Sequence, residues 1–233
     1  MAVKNTYNNE SIKSLKGPDR VRKCAPVIFG SDGIEGCQHS VFEIVSNSID
    51  EARAGYGKLI EVIRHADRSI TVKDHGRGMP VDFNKNEQRY NWDLIYCELY
   101  AGAKYDGNLA GNYDASIGLN GLGCCATQYA SSYMDVEVIR DGYKYNLHFE
   151  EGFNIGGLKK KEEKGKKTGT TTRWKPDPKV FTDINIPIEY FQDMLKRQAV
   201  ANTGLKFILT DEESNKTYEY LYENGIKQYV EEV

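Results

Sequence analysis

A carboxylate and an amide stand one helical turn apart in the stretch from His39 to Ala54. Glu43 and Asn47 are four residues apart, so in a helix they project from the same face. Asn47 can offer a neutral oxygen to Mg²⁺, and Glu43 can orient and deprotonate a water molecule. The pair indicates metal-assisted phosphate chemistry, although an ordinary solvent-exposed helix face also carries such residues.

An aspartate and a glycine-rich turn come directly after a predicted strand. Residues 74–80 read Asp-His-Gly-Arg-Gly-Met-Pro. An ionised Asp74 accepts hydrogen bonds only, so it can read an amino group such as adenine N6 and reject the carbonyl of guanine. The two glycines permit a tight turn that a flat ring can approach. The segment indicates base recognition or, taken alone, a plain turn.

Two further segments could contact a nucleotide. Residues 118–123 read Gly-Leu-Asn-Gly-Leu-Gly and precede a predicted helix start at 124–126, so their N–H groups could hold phosphate oxygens. Thr170 ends the sequence Lys-Thr-Gly-Thr and could donate and accept hydrogen bonds near a base. The glycine spacing is not that of a dinucleotide fingerprint, and the chain has no Gly-x-x-x-x-Gly-Lys-Ser/Thr loop. An ATP site here must be of another kind.

Hydrophobic periodicity predicts the elements that position these residues. The stretch 39–54 is an amphipathic helix, because Val41, Phe42, Val45 and Ile49 fall on one stripe opposite Glu43 and Asn47. We predict a further helix at 187–201 and strands at 59–64, 69–73, 133–140, 143–149, 170–175, 206–210 and 217–222. This order of helices and strands predicts an α/β sandwich with a mainly antiparallel sheet.

Less regular segments complete the predicted organisation. Residues 1–16 form an arm that ends in a short helix at 11–16, with Ser11 as its cap, and residues 17–233 form a single domain. The glycine-rich stretch 84–122 is predicted to contain short helical patches and to form a long, partly mobile loop system, a kind of segment that is usually functional. The lysine-rich run 159–167 is predicted to be a solvated loop.

Composition limits the class of protein. The chain has 233 residues, 39% of them hydrophobic and 28% charged, which fits a soluble globular domain. We find no membrane-spanning segment or signal peptide and expect a cytoplasmic protein. The five cysteines lack Cys-x-x-Cys spacing and should be free thiols. A net charge of -3 argues against a broad polyanion-binding surface, so if DNA is a partner, other segments must hold most of it.

The four motifs follow the order found in the GHKL ATPases, and the chain most resembles the gyrase and topoisomerase IV B subunits. Residues 41–52, Val-Phe-Glu-Ile-Val-Ser-Asn-Ser-Ile-Asp-Glu-Ala, resemble their first motif almost throughout. The similarity continues at 74–80, 99–105, 118–123, 167–170 and 224–226, so the resemblance covers about the whole chain. It implies the α/β two-layer GHKL (Bergerat) fold, in which helices cover one face of a mixed, mainly antiparallel sheet.

The resemblance implies roles for the central residues. Glu43 resembles the general base that activates the attacking water, and Asn47 resembles the Mg²⁺ ligand. Asp74 resembles the adenine reader, assisted by Thr170 through water. At the pocket mouth, the coumarin-inhibitor rim of this family would comprise Met79, Pro80 and Arg140, although Arg140 also fits a plain solvent-exposed arginine.

Further ATP contacts are implied around these residues. Lys104 would approach the phosphates and Tyr113 the adenine, while Tyr7 would reach the ATP bound by a partner subunit. ATP would thereby close a dimer. Glu51 and Arg77 would pair at the rim, beside Gly78. The segment that would wrap the phosphates comprises Gly118, Leu119, Asn120, Gly121, Leu122, Gly123 and Cys124.

The implied function is ATP binding and hydrolysis in a bacterial type IIA DNA topoisomerase B subunit. Closure of the dimer would power DNA strand passage, with ATP and Mg²⁺ as cofactors. A second B subunit would be the direct partner, and the A subunit and DNA would bind outside this fragment. A further lysine is expected from a second domain beyond Val233, so the fragment should hydrolyse ATP slowly.

Some positions depart from the family pattern, namely 24–29, Ser46, His75 and Asn120. They leave the base, the metal ligand and the adenine aspartate in place, but they bear on inhibitor sensitivity and on the phosphate contacts. Two alternatives stay open. One is another GHKL ATPase, such as a MutL-like repair protein or a chaperone. The other is a degenerate nucleotide-binding module without turnover.

Overall fold

The computed structural model describes residues 9–101 and 123–232. A 3-10 helix at Asn9–Ser11 precedes the regular elements. Among the described residues, no helix is long and apolar enough to cross a membrane. The elements in chain order are α1 Asp19–Arg22, α2 Ala25–Phe29, α3 Ile34–Arg53, β1 Leu59–Arg64, β2 Ile70–Asp74, β3 Phe83–Asn84, β4 Arg89–Tyr90, α4 Asn91–Cys97, α5 Gly123–Tyr129, β5 Ser131–Arg140, β6 Tyr143–Glu150, β7 Phe153–Asn154, β8 Lys159–Glu162, β9 Gly169–Pro176, α6 Ile188–Ala201, β10 Lys206–Asp211, β11 Lys216–Tyr220 and α7 Ile226–Glu232.

Nine of the described strands form one sheet. Its order is β11-β10-β1-β2-β9-β5-β6-β7, and β8 pairs with β6 beside this path. The β1–β10 pair is parallel, and the other pairs in the sheet are antiparallel. The predicted mixed, mainly antiparallel sheet is therefore confirmed.

The helices pack on one face of this sheet. In β5, Met134, Val136 and Val138 are each 1% exposed, whereas Asp135 and Glu137 between them point to the opposite face. Such alternation is what a strand with one covered face requires. Helices α3, α5 and α6 contact the sheet through β1, β2, β5, β9, β10 and β11. The predicted two-layer α/β arrangement is confirmed.

Helix α3 is the central element of the helical layer. Its side chains at Cys37, Val41, Val45 and Ile49 are fully buried and recur every fourth residue along one stripe. Burying each such side chain contributes roughly 1.5–3 kcal/mol to folding. The helix begins at Ile34, five residues before the predicted start. Helix α3 also packs against α2.

The predicted helix at 11–16 is wrong. The 3-10 helix at Asn9–Ser11 is followed by residues 12–16 without regular structure. Ile12 is 67% exposed and Leu15 is 36% exposed, so the segment buries no apolar stripe. One helical turn without tertiary packing cannot offset the entropy of nucleation. The division of the chain at residue 16 stays a prediction.

Two predicted loops contain regular structure. The lysine-rich run begins with the edge strand β8, whose four residues are all exposed and pair with β6 through the backbone. Charged side chains are compatible with an edge strand because they discourage further strand pairing. The part of the glycine-rich stretch that the structure describes contains helix α4, which agrees with the predicted short helical patches, and the β3–β4 hairpin, which was not predicted.

Candidate nucleotide-binding site

A cavity of about 350 Å³ lies between α3 and the sheet. It collects residues from four separate sequence motifs, because β2 and β9 are antiparallel neighbours under α3. The pairing of Lys73 with Thr171 places the end of β2 beside the start of β9. The predicted residues that line the cavity are Asn47, Glu51, Asp74, Arg77, Gly78, Met79, Pro80, Gly123, Cys124, Arg140 and Thr170.

Asp74 is 9% exposed and belongs to a network of backbone donors. Its Oδ1 accepts hydrogen bonds from the N–H of Gly76 at 2.9 Å and of Thr170 at 3.1 Å, and its Oδ2 accepts from Ser48 Oγ at 3.3 Å. Burial raises the pKa of Asp74 above its ordinary value, although the two N–H donors act in the opposite direction. The Asp74 carboxyl group in the cavity wall can therefore accept a further hydrogen bond.

Thr170 fixes the glycine-rich turn against β9. Its Oγ1 accepts a hydrogen bond from the N–H of Met79 at 3.0 Å, while Thr168 Oγ1 donates to the carbonyl of Gly76 at 2.6 Å. These bonds hold the turn at the cavity wall from the side opposite α3. The motif containing Thr170 and the motif containing Asp74 therefore form one unit.

Glu43 and Asn47 lie on the same side of α3, as predicted from their spacing. Asn47 Nδ2 donates to the Glu43 carbonyl at 2.9 Å and to Cys124 Sγ at 3.3 Å. Glu43 is not among the described cavity-lining residues, but its carboxylate contacts the first residue of α5. A Cβ at Gly123 would lie 2.1 Å from Glu43 Oε2, so any larger residue here would displace the Glu43 carboxylate.

His39 is a site residue that the sequence reasoning missed. It stands one turn before Glu43, and its Nε2 lies 3.2 Å from Glu43 Oε1. The hydrogen bond to Glu43 raises the pKa of His39 above its ordinary value, against the effect of burial. The four-residue spacing was the available signal, since it places both side chains on one helix face.

The predicted pair at the cavity mouth is formed. Arg77 donates from Nε and Nη2 to the two carboxylate oxygens of Glu51 at 2.9 and 3.0 Å, and its backbone N–H adds a third bond at 2.8 Å. Burial opposes ionisation of Glu51, but these bonds outweigh it and place the pKa of Glu51 below its ordinary value. Arg140 Nη1 donates to the carbonyl of Gly78 at 2.7 Å, so it also holds the rim.

The inner wall of the cavity contains further residues that sequence reasoning missed. They come from six elements, and only Ile44, Ser48 and Asp50 lie within a predicted motif, at 41–52. Tyr96, which is 2% exposed, donates from its hydroxyl to Met79 Sδ at 3.2 Å. The additional lining residues are Ile44, Ser48, Asp50, Ala54, Val72, Ile95, Tyr96, Thr127, Met134 and Thr172.

Several predicted residues lie outside the described part of the chain: Tyr7, Lys104, Tyr113, Gly118, Leu119, Asn120, Gly121 and Leu122. Within residues 9–101 and 123–232, no group of three or more His, Cys, Asp or Glu side chains could hold a metal ion. The five cysteines, all in described segments, are free thiols as predicted.

Comparison with known proteins gives related sequences and folds. No model of a known protein family matches the chain. The B subunit of DNA topoisomerase 4 from Bacillus subtilis is 38% identical over 224 residues, which are 96% of this chain and 34% of that protein. The B subunit of DNA gyrase from Haloferax volcanii is 36% identical over 234 residues, 99% of this chain and 36% of that protein. The chain thus spans about a third of the length of these relatives.

A solved structure matches the described fold. The 43K ATPase domain of Thermus thermophilus gyrase B, in complex with an aminocoumarin, superposes with a TM-score of 0.78 at 29% sequence identity. The match covers 92% of this chain and 54% of that domain. By sequence and by fold, the chain belongs to the family of DNA gyrase B and topoisomerase IV B subunits and corresponds to part of their ATPase domain.

Proposed function

We propose that the cavity binds the adenine of ATP and that this chain hydrolyses the nucleotide. The observation that supports the proposal is the arrangement of the Asp74 carboxylate. Its Oδ1 accepts from two backbone N–H groups, while Oδ2 accepts only the 3.3 Å bond from Ser48 among the described residues. A carboxylate oxygen accepts more than one bond, so Oδ2 can also receive an amino group such as adenine N6. A guanine carbonyl would meet an acceptor and be rejected.

The proposed hydrolysis uses residues beside α5. Glu43 would orient a water molecule and accept its proton, and His39 would hold the Glu43 carboxylate in position. The Asn47 amide, whose nitrogen is already held by two acceptors, would contribute its oxygen to Mg²⁺. When bound, the ion would neutralise phosphate charge. The absence of a dense ligand cluster in the described residues fits a metal held mainly by phosphates and water.

The roles implied for undescribed residues belong to the same proposal. Residues 118–122 would wrap the phosphates together with Gly123 and Cys124, Lys104 would approach the phosphates, and Tyr113 would contact adenine. Tyr7 would reach ATP in a second B subunit. Support for these roles comes from the resemblance of their motifs to the family.

The function of the longer protein is also a proposal. The relatives are B subunits of DNA topoisomerase 4 and DNA gyrase, and the chain spans about a third of their length. We propose that ATP-driven dimer closure powers DNA strand passage in the cytoplasm, with the A subunit and DNA bound through other regions. The Thermus thermophilus domain binds an aminocoumarin, so we propose that Met79, Pro80 and Arg140 form an inhibitor rim here.

The test compares binding with turnover. Calorimetry with Mg²⁺ should detect a non-hydrolysable ATP analogue and no GTP. Glu43→Gln should keep analogue binding and lose hydrolysis by at least about a hundred-fold, because general-base catalysis contributes about 10²–10⁴-fold. Glu35→Gln, on the first turn of the same helix, is the matched control and should leave both unchanged.

Each outcome separates the candidate functions. Loss of turnover in Glu43→Gln with intact binding supports the ATPase. If the wild type binds the analogue but never hydrolyses it, the degenerate binding module is correct. If it binds neither nucleotide, the proposed site is wrong.

A further inference from the structure

An aromatic side chain stands behind the Arg77–Glu51 pair at the cavity mouth. The Cζ atom of Arg77 lies 3.7 Å from the centroid of the Tyr56 ring. Tyr56 is 43% exposed and is not among the described residues that line the cavity, whereas Arg77 and Glu51 both line it. Tyr56 can therefore influence a bound ligand only through its neighbours, and the cavity-lining side chain that its ring contacts is Arg77.

The position of Tyr56 is set by the backbone around it. Its N–H donates to the Glu51 carbonyl at 3.1 Å, which attaches it to the C-terminal turn of α3. On its other side, a Cβ at Gly57 would lie 3.0 Å from the carbonyl carbon of His75. The short segment after α3 thus packs closely on the Asp74–Pro80 turn. The backbone that carries the ring is anchored independently of the arginine that covers the ring.

Arg77, by contrast, depends on side-chain contacts for its arrangement. Its side chain is 42% exposed, so water and salt screen the ion pair with Glu51 and weaken it, although the pair is bidentate. A long arginine side chain also loses about 2 kcal/mol of rotamer entropy when it is fixed. Stacking of the planar guanidinium on an aromatic face restricts the plane as well as the position of the group. The ring and the Glu51 carboxylate together define one orientation.

We propose that Tyr56 is a positioning residue of the nucleotide site. Its ring holds the Arg77 guanidinium against Glu51, so that the mouth of the cavity is already ordered when a nucleotide enters. The inference rests on the proposed ATP-binding function. Preorganisation lowers the cost of binding, and therefore removal of the ring weakens nucleotide binding without removing any direct contact.

The binding test is a double-mutant cycle measured by calorimetry with the non-hydrolysable ATP analogue and Mg²⁺. Tyr56→Leu should raise the Kd about two- to five-fold, the range for an exposed cation–π contact. Tyr56→Phe keeps the ring and should match the wild type. In an Arg77→Ala background, Tyr56→Leu should have no further effect, because the residue through which it acts is gone.

A second readout needs no ligand. In the ¹⁵N-labelled chain, the Arg77 Nε–Hε signal should be shifted by the ring current of Tyr56, and Tyr56→Leu should abolish that shift while Tyr56→Phe retains it. An unshifted wild-type signal overturns the inference. So does an effect of Tyr56→Leu on Kd that persists in the Arg77→Ala background, or an equal loss in Tyr56→Phe. Failure of the wild type to bind the analogue instead overturns the proposed function, while the signal of Arg77 still tests the stacking.

Discussion

At the scale of single residues, Asp74 shows how recognition and stability oppose each other. Burial raises its pKa, so between the ordinary value and the raised value the folded chain binds more protons than the unfolded chain. The contribution of Asp74 to the free energy of unfolding therefore falls as the pH rises through that window. Above that window the ionised carboxylate costs stability, although the same negative charge suits it to accept a hydrogen bond from an amino group.

We predict that Asp74→Asn loses adenine recognition without loss of stability. Hydrogen bonds to charged groups are worth about 1.5–3 kcal/mol, so the Kd for the ATP analogue should rise at least about ten-fold. The midpoint of urea unfolding at pH 7 should be equal or higher, because a neutral amide replaces a buried charge. Asp193→Asn on the exposed face of α6, where the carboxylate is 71% exposed, is the control. A markedly lower midpoint for Asp74→Asn would show that the ionised carboxylate stabilises the fold.

At the scale of elements, the contact between α3 and α5 determines where the general base stands. The first residue of α5 has no side chain, and the Glu43 carboxylate occupies the space that a Cβ would take. Because α3 is held by a fully buried stripe, a clash at this contact would be relieved by movement of the Glu43 side chain. The reactive geometry therefore depends on the packing of two helices.

We predict that Gly123→Ala impairs turnover more than binding. The added methyl group would displace the Glu43 carboxylate, and a shift of about 1 Å in a catalytic group can cost about a hundred-fold in rate. ATP hydrolysis should fall by that order, while the Kd for the analogue changes less. Gly165→Ala is the comparison, because its Cβ would make only an ordinary contact of 3.4 Å with Glu163. If the hydrolysis rate and the affinity for the analogue fell equally, the contact between Gly123 and Glu43 would not be what positions the general base.

At the scale of the whole molecule, the open face of the sheet carries a charge network with its own pH dependence. His148 Nδ1 lies 2.7 Å from Asp135 Oδ1, and its Nε2 lies 3.1 Å from Glu150 Oε1. The hydrogen bond to Asp135 and then the bond to Glu150 raise the pKa of His148. Its contribution to stability is complete below the unfolded pKa of about 6.5 and is lost as the pH rises through the raised value.

We predict that His148→Gln reduces the loss in free energy of unfolding between pH 6 and pH 8.5. Urea unfolding of the wild type and the variant at pH 6 and pH 8.5 should give a smaller difference between the two pH values for the variant. A residual difference is expected, because His39 also has a raised pKa and contributes with the same sign. The same pH difference in both chains would exclude a role for His148.

The sequence by itself determined the local parts of the site. Spacing along α3 placed Glu43 and Asn47 together, and the alternation of residues placed Asp74 at the end of β2. The apolar stripe of a helix and the alternating faces of a strand depend on residues within a few positions of one another, so the periodicity of the sequence predicts them. The pairing of Glu51 with Arg77 came from resemblance to the family, and the geometry agrees with it.

Only the tertiary structure decided which distant elements meet. The parallel pairing of β1 with β10 joins residues about 150 positions apart, and the cavity wall takes Ile44, Ile95 and Met134 from three elements. The tertiary structure also determined two local outcomes. Strand β8 forms because β6 offers it backbone partners, and the predicted helix at 11–16 does not form because it lacks packing partners. Such outcomes depend on the burial and pairing that the whole fold offers a segment, and local sequence does not contain that information.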